Sequence, residues 1–148
     1  MWKKIFQTND DAVILILRVL LGIVFFGHGM QKLFGWFGGY GFAGTMGWLT
    51  GTLGVPWIFA FLAVMAEGLG CFGLIVGLGT RIAAFGILVN IVVASFLLHA
   101  PGSILMAWFV NTQNGMGLEF HITIIAIAIA LIVRGGGKWS VDRLIAKE

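Results

Sequence analysis

Residues 12–33 read A-V-I-L-I-L-R-V-L-L-G-I-V-F-F-G-H-G-M-Q-K-L, and this stretch decides the fold. A helix of about 20 apolar residues spans the hydrocarbon core of a bilayer, and this run reaches that length with only Arg18, His28 and Lys32 as ionisable interruptions. Met1-Trp2-Lys3-Lys4 ahead of it resembles the basic lead of a signal peptide. The run is too long for one, however, and it ends in Gln31-Lys32 without a small-residue cleavage site, so it is expected to be retained as a span. Three further runs follow, at about 56–78, 82–98 and 118–133. The last two lie near the short end of the spanning range and predict little tilt. The Ile-Ala alternation from Ile124 to Ala130 has strand periodicity, but a lone strand cannot satisfy its backbone in lipid and a helix can. The expected fold is all-α: an integral membrane four-helix transmembrane bundle, one domain over residues 1–148.

Composition agrees. With 59% hydrophobic and 10% charged residues and a mean hydropathy of +1.03, the chain has too little polar surface to clothe a water-soluble globule, so the lipid bilayer must solvate part of it. The isoelectric point near 9.4 does not signal a nucleic-acid partner, because the basic residues form no run interleaved with aromatics. They sit beside the spans instead. Lys3, Lys4, Arg81, Arg134, Lys138, Arg143 and Lys147 fall on one side and Lys32 alone on the other, which puts both termini and the Gly77–Arg81 turn in the cytoplasm. The loops from Phe34 to Val55 and from His99 to Gly117 then face outward. All six tryptophans (Trp2, Trp36, Trp48, Trp57, Trp108 and Trp139) lie in loops or at span ends, where an amphipathic indole suits the headgroup region. In the first outer loop Phe42, Met46, Leu49 and Leu53 recur at helical spacing and predict a short helix in the interface or over the bundle. Gly135-Gly136-Gly137 predicts a helix stop, followed from Ser140 by a brief surface helix. The lone Cys71 cannot form an intrachain disulfide and reads as a packing residue.

Helices in lipid associate through close backbone approach, so Ala66, Gly70, Gly73 and Gly77 should mark a contact face of the second span. Ionisable groups at membrane depth cost about 2.5 to 3.5 kcal/mol each and usually face a partner or a cavity. Here they are Arg18, His28, Glu67 and Glu119. Arg18, Gly22, Phe25, Gly29 and Lys32 share one stripe of the first span, with His28 at its edge, and Glu67 lies on the Ala60-Ala63-Gly70-Cys71 face of the second. Both faces should point inward. With the ends of the two spans aligned, Glu67 falls near the midplane and Arg18 a few ångströms nearer the cytoplasm, so an Arg18–Glu67 ion pair is expected, with Asn90 of the third span at similar depth. Toward the outer side, His28, Gln31, Lys32, His99, Glu119 and His121 gather within the last turns of their helices. A metal is not expected there, because Glu119 and His121 diverge by about 200° on a regular helix. Glu119 shares a small-residue stripe with Thr123, Ala126 and Ala130, and it also sits where a helix N-terminus favours its charge.

Arg18–Gly35 (R-V-L-L-G-I-V-F-F-G-H-G-M-Q-K-L-F-G) and Ala66–Ala84 (A-E-G-L-G-C-F-G-L-I-V-G-L-G-T-R-I-A-A) resemble blocks of the DoxX family, and Gly137–Arg143 (G-K-W-S-V-D-R) resembles its end. The matching positions are Arg18, Gly22, His28, Gly29, Lys32 and Gly35, then Glu67, Gly77, Thr80 and Arg81. The resemblance implies a bacterial inner-membrane four-helix protein, in a family named for a membrane subunit of sulfur-oxidising systems that pass electrons to quinone. The sequence carries no haem, flavin or iron–sulfur motif and no self-contained catalytic motif, so electron transfer would need a bound quinone or a partner. Three functions stay open: a quinone-linked redox component or oxidoreductase subunit, with Arg18, His28, Lys32, Glu67, Asn90 and Glu119 as candidate binding residues; a non-catalytic scaffold for a protein partner; and a small-solute carrier.

Overall fold

The computed structural model describes residues 3–98 and 118–147. Its helices are α1 (Lys3–Phe6), α2 (Ala12–Phe34), α3 (Gly41–Gly47), α4 (Trp57–Gly68), α5 (Gly70–Val76), α6 (Thr80–Leu98), α7 (Leu118–Arg134) and α8 (Val141–Lys147). Among the described residues three helical stretches are long and apolar enough to cross a membrane: Ala12–Phe34, Trp57–Val76 and Thr80–Leu97. The second of these is α4 and α5, interrupted only at Leu69. At 17 residues α7 is the shortest of the four long segments, about 25 Å from end to end. Each segment packs on the next and α7 closes back on α2, so the four make an antiparallel ring. The chain is a multi-pass helical membrane protein.

Side-chain distribution follows from a solvent that is itself apolar. Leu21, Phe25, Cys71, Leu74, Ile87, Ile124 and Leu131 fill the centre. Comparably apolar residues such as Leu20, Ile23, Leu62, Phe85 and Ile129 point outward, a surface that only lipid can solvate. Cys71 is fully buried, in the packing role its surroundings suggested.

Glycine sets the register between the first two spans. A Cβ on Gly29 would lie 2.8 Å from the Gly68 Cα, and one on Gly22 would lie 3.1 Å from the Cys71 carbonyl oxygen, so the two backbones touch at these points. The expected small-residue face turns to the third span: a Cβ on Gly86 would meet that of Ala66 at 3.1 Å, and Gly70 and Gly73 lie against Ala83. Because Gly29 is level with Gly68, α2 runs only five residues further, about 8 Å, before ending at Phe34, whereas α4 begins eleven residues before Gly68, about 16 Å away. The first span therefore stops well short of the second at the end away from the chain termini.

The segment between α2 and α4 fills that step. Gly35, in the left-handed region at φ 72°, ends α2, and Trp36–Gly38, α3 and a wide helical turn at Trp48–Thr52 follow. Met46 is buried against Ala60 and Val64, with Leu49 beside it. The short helix thus packs on α4 rather than only floating in the interface. Trp36, Trp48, Trp57 and Trp139 are exposed at span ends as expected. Trp2, Trp108 and the loop from His99 to Gly117 lie outside the described residues.

The opposite end is tied by the chain termini. Asp11 caps α2, accepting from the amides of Val13 (2.8 Å) and Ile14 (3.3 Å). The Lys138 amide donates to the Asp11 carbonyl, the Gly137 amide to the Thr8 hydroxyl at 2.5 Å, and Arg143 holds Asp10 with both guanidinium nitrogens. Gly137 must be glycine: φ is 72° and a Cβ would meet the Asp11 carbonyl at 2.8 Å. The predicted stop at Gly135–Gly137 and the helix after Ser140 are both present.

Candidate functional site

The Arg18–Glu67 pair expected from sequence does not form. Arg18 is eleven residues from Gly29 and so about 16 Å along the helix from the level of Glu67, because the glycine contacts shift α2 inward relative to a simple alignment of span ends. Its guanidinium is buried at the end of α5, donating to the carbonyls of Leu74 (2.6 Å) and Ile75 (2.8 Å) and to that of Trp139 (3.3 Å). These are the carbonyls that a helix terminus leaves without intrahelical partners, and a cation is favoured there by the helix dipole. Arg18 is a structural clamp joining the first span, the end of the second and the C-terminal tail.

Asp142 completes that clamp from α8. Its two carboxylate oxygens accept from the amides of Gly79 (2.6 Å) and Thr80 (2.9 Å), capping the start of α6, while its own amide donates to the Gly77 carbonyl. Sequence reading missed this residue, since nothing local to the tail shows that a turn some sixty residues earlier is its partner. The only hint was the recurrence of Asp142 in the closing family-like block.

Glu67 finds a different partner. Lys32, near the end of the first span, reaches back to place its ammonium 2.5 Å from Glu67 Oε2, and the Asn90 side-chain amide donates to Oε1 and, at 3.4 Å, to the Ala63 carbonyl. The Glu67 side chain is 5% exposed and that of Lys32 35%, so the ammonium is the charge that shows at the surface of the trio. All three residues were candidates; depth alone had placed Asn90 with Glu67, and the tertiary structure brings Lys32 to them in place of Arg18.

The trio closes one end of an apolar groove of about 790 Å³ between α4 and α6. Phe59, Leu62, Ala63 and Ala66 form one wall, Phe85, Gly86, Val89 and Val93 the other, and residues 48–49 and 53–56 of the segment between α2 and α4 form the opposite rim. A volume of this size falls within the range of small-molecule sites, which are mostly apolar with a few polar groups. Glu67 is the eleventh of the twenty residues in Trp57–Val76, and Asn90 the eleventh of the nineteen in α6, so the polar end is at mid-depth.

The remaining candidates lie elsewhere. His28 is half-buried on the side facing α7, with its ring 6.0 Å from Phe25 and 6.4 Å from Phe120, and it does not line the groove. Glu119 is exposed at the start of α7, with Thr123 and Ala126 of its stripe exposed too, so that face is not the inward one expected. Gln31 donates to the Phe37 carbonyl at 3.3 Å and braces the first outer loop. His121 is buried beside Phe120, and His99 lies outside the described residues. The outer polar cluster read from sequence is thus dispersed among the described residues, and no three His, Cys, Asp or Glu side chains among them converge on a metal-binding geometry.

Comparison with known proteins bears on the whole chain. Residues 13–100 match the family model described as DoxX. Over 139 residues, 94% of this chain and 96% of the relative, it is 27% identical to "Inner membrane protein YqjF" of Escherichia coli (strain K12). No solved structure matches it significantly.

Proposed function

The chain belongs to the DoxX family, and from that premise we propose that it is an inner-membrane protein that binds a quinone-class molecule in the groove between its second and third spans, as a component of a membrane redox system. The placement in the inner membrane draws on the name of its Escherichia coli relative, and the cytoplasmic placement of both termini on the basic residues that flank the spans. The observation that carries the ligand class is the depth of Lys32, Glu67 and Asn90. A phospholipid keeps its charged headgroup at the interface, and bringing that charge to the midplane is costly. A neutral quinone has no such anchor. Its ring can sit on the trio, with a carbonyl accepting from Lys32, while its apolar tail follows the groove past Ala63 and Val93 toward lipid. Among the described residues the Lys32 ammonium makes one hydrogen bond, to Glu67, and an ammonium has three donors, so two are available to an acceptor.

The test is saturable binding of decylubiquinone to the protein in lipid nanodiscs. Val93 lines the groove and is 45% exposed, so Val93→Trp should obstruct the groove without disturbing the core. The expected result is at least tenfold weaker binding with an unchanged melting temperature. Equal affinity in the variant, or binding that never saturates above partition into lipid, would overturn the reading.

A further inference from the structure

Resting on the groove as a quinone site, we propose that Glu67 is the group that takes up a proton when the bound quinone gains an electron. The argument is a count of charges. In the unliganded groove one cation, Lys32, offsets one carboxylate, Glu67, at 2.5 Å. Lys32 and Glu67 both line the groove, and the Lys32 side chain is the more exposed of the two, 35% against 5%, so a quinone carbonyl meets Lys32 first. Adding an electron to that quinone creates a semiquinone anion, and two anions then share one cation in surroundings of low dielectric. Like charges confined to one site are relieved by protonating one of them.

Glu67 is the better placed to accept. As Lys32 turns to the semiquinone oxygen, Glu67 Oε2 loses its donor and can carry the proton, while Oε1 keeps the Asn90 amide. The step balances as quinone, one electron, one proton and the Glu67 carboxylate giving the semiquinone anion on Lys32 and the neutral Glu67 carboxylic acid. The electron comes from a one-electron reductant, an iron–sulfur or haem centre of a partner protein, and the proton from water. Among the described residues the other titratable groups acting on Glu67 are few. His28 on α2 is in electrostatic reach with its ring among Phe25 and Phe120, and Cys71 on α5 donates its thiol to the Gly68 carbonyl at 3.1 Å. α3 and the part of α6 opposite Glu67 contribute no ionisable side chain.

Infrared difference spectroscopy on the full chain in nanodiscs, with decylubiquinone reduced electrochemically by one electron, tests this. Reduction should produce the C=O stretch of a protonated carboxyl group, shifted by deuterium exchange and by carbon-13 labelling of glutamate. Glu119→Gln/Glu148→Gln leaves Glu67 as the only glutamate of the sequence and should keep the band. Reduction of bound quinone without a carboxyl band overturns the inference and leaves the binding site standing, with Lys32 or water supplying the proton. Loss of the band in the double variant overturns it as well. Absence of saturable quinone binding removes both readings together.

Discussion

Arg18→Met separates clamp from ligand site. The guanidinium makes two short hydrogen bonds, to Leu74 and Ile75 at 2.6 and 2.8 Å, and a longer one to Trp139 at 3.3 Å. A hydrogen bond to a charged group contributes about 1.5–3 kcal/mol, so the two short bonds together are worth about 3–6 kcal/mol. Methionine fills much of the volume and removes the cost of burying a charge, which offsets part of that loss. The Asp142 carboxylate keeps its two amide donors in the variant but loses the attraction of the nearby cation. We expect a net loss of about 3 kcal/mol, at the high end for single substitutions. Arg18→Lys should recover part of it, because it keeps a cation at the helix terminus but lacks the second nitrogen, Nη2, that reaches the Trp139 carbonyl. Unfolding in mixed micelles, followed by tryptophan fluorescence, gives the stability, and decylubiquinone affinity is measured on the folded fraction. A variant as stable as the parent that no longer binds quinone would refute the reasoning, as Arg18 would then belong to the ligand site.

Double-mutant cycles should show Lys32→Met and Glu67→Gln coupled by about 1 kcal/mol or more, while Arg18→Met and Glu67→Gln add within about 0.5 kcal/mol; coupling of the second pair would contradict the observed register. Gly29→Ala should lower stability by about 1–3 kcal/mol through overpacking against Gly68 and the Glu67 carbonyl, whereas Gly27→Ala, with nothing within 4 Å, should be neutral, and equal melting temperatures for the two would argue against the close approach. Asp142→Asn should cost about 1–2 kcal/mol by weakening the cap of α6, read by the same unfolding assay. Reporter fusions after Leu78 and at the C-terminus should read cytoplasmic and one near Gly51 outside; a periplasmic C-terminus would reject the proposed orientation.

Much of the molecule was legible because the bilayer is a demanding solvent. Every backbone polar group inside it must be satisfied within its own segment, so long apolar runs could only be helices, and the span limits read from hydropathy agree with α2, α4–α5, α6 and α7 to within a residue or two. The glycine stop at Gly135–Gly137 was equally local, since positive φ is a property of a residue and its neighbours. The functional candidates were legible as residue types: Arg18, His28, Lys32, Glu67, Asn90 and Glu119 stood out because ionisable and amide groups are rare at such depth. Which of them meet was not.

Partnership in a bundle depends on how far one helix slides along the next, and a slide of one or two turns leaves every local pattern unchanged. The sequence by itself determined the fold class, the long apolar helical segments and the polar residues that had to be accommodated. Tertiary structure alone decided that Gly29 meets Gly68, that Arg18 consequently caps α5 and that Lys32, Glu67 and Asn90 share one end of a groove. The reason is that hydropathy is the same at every axial position, whereas backbone contact at glycine is not. The close approach of two helices without side chains between them fixed the axial position, and with it the partner of every buried charge.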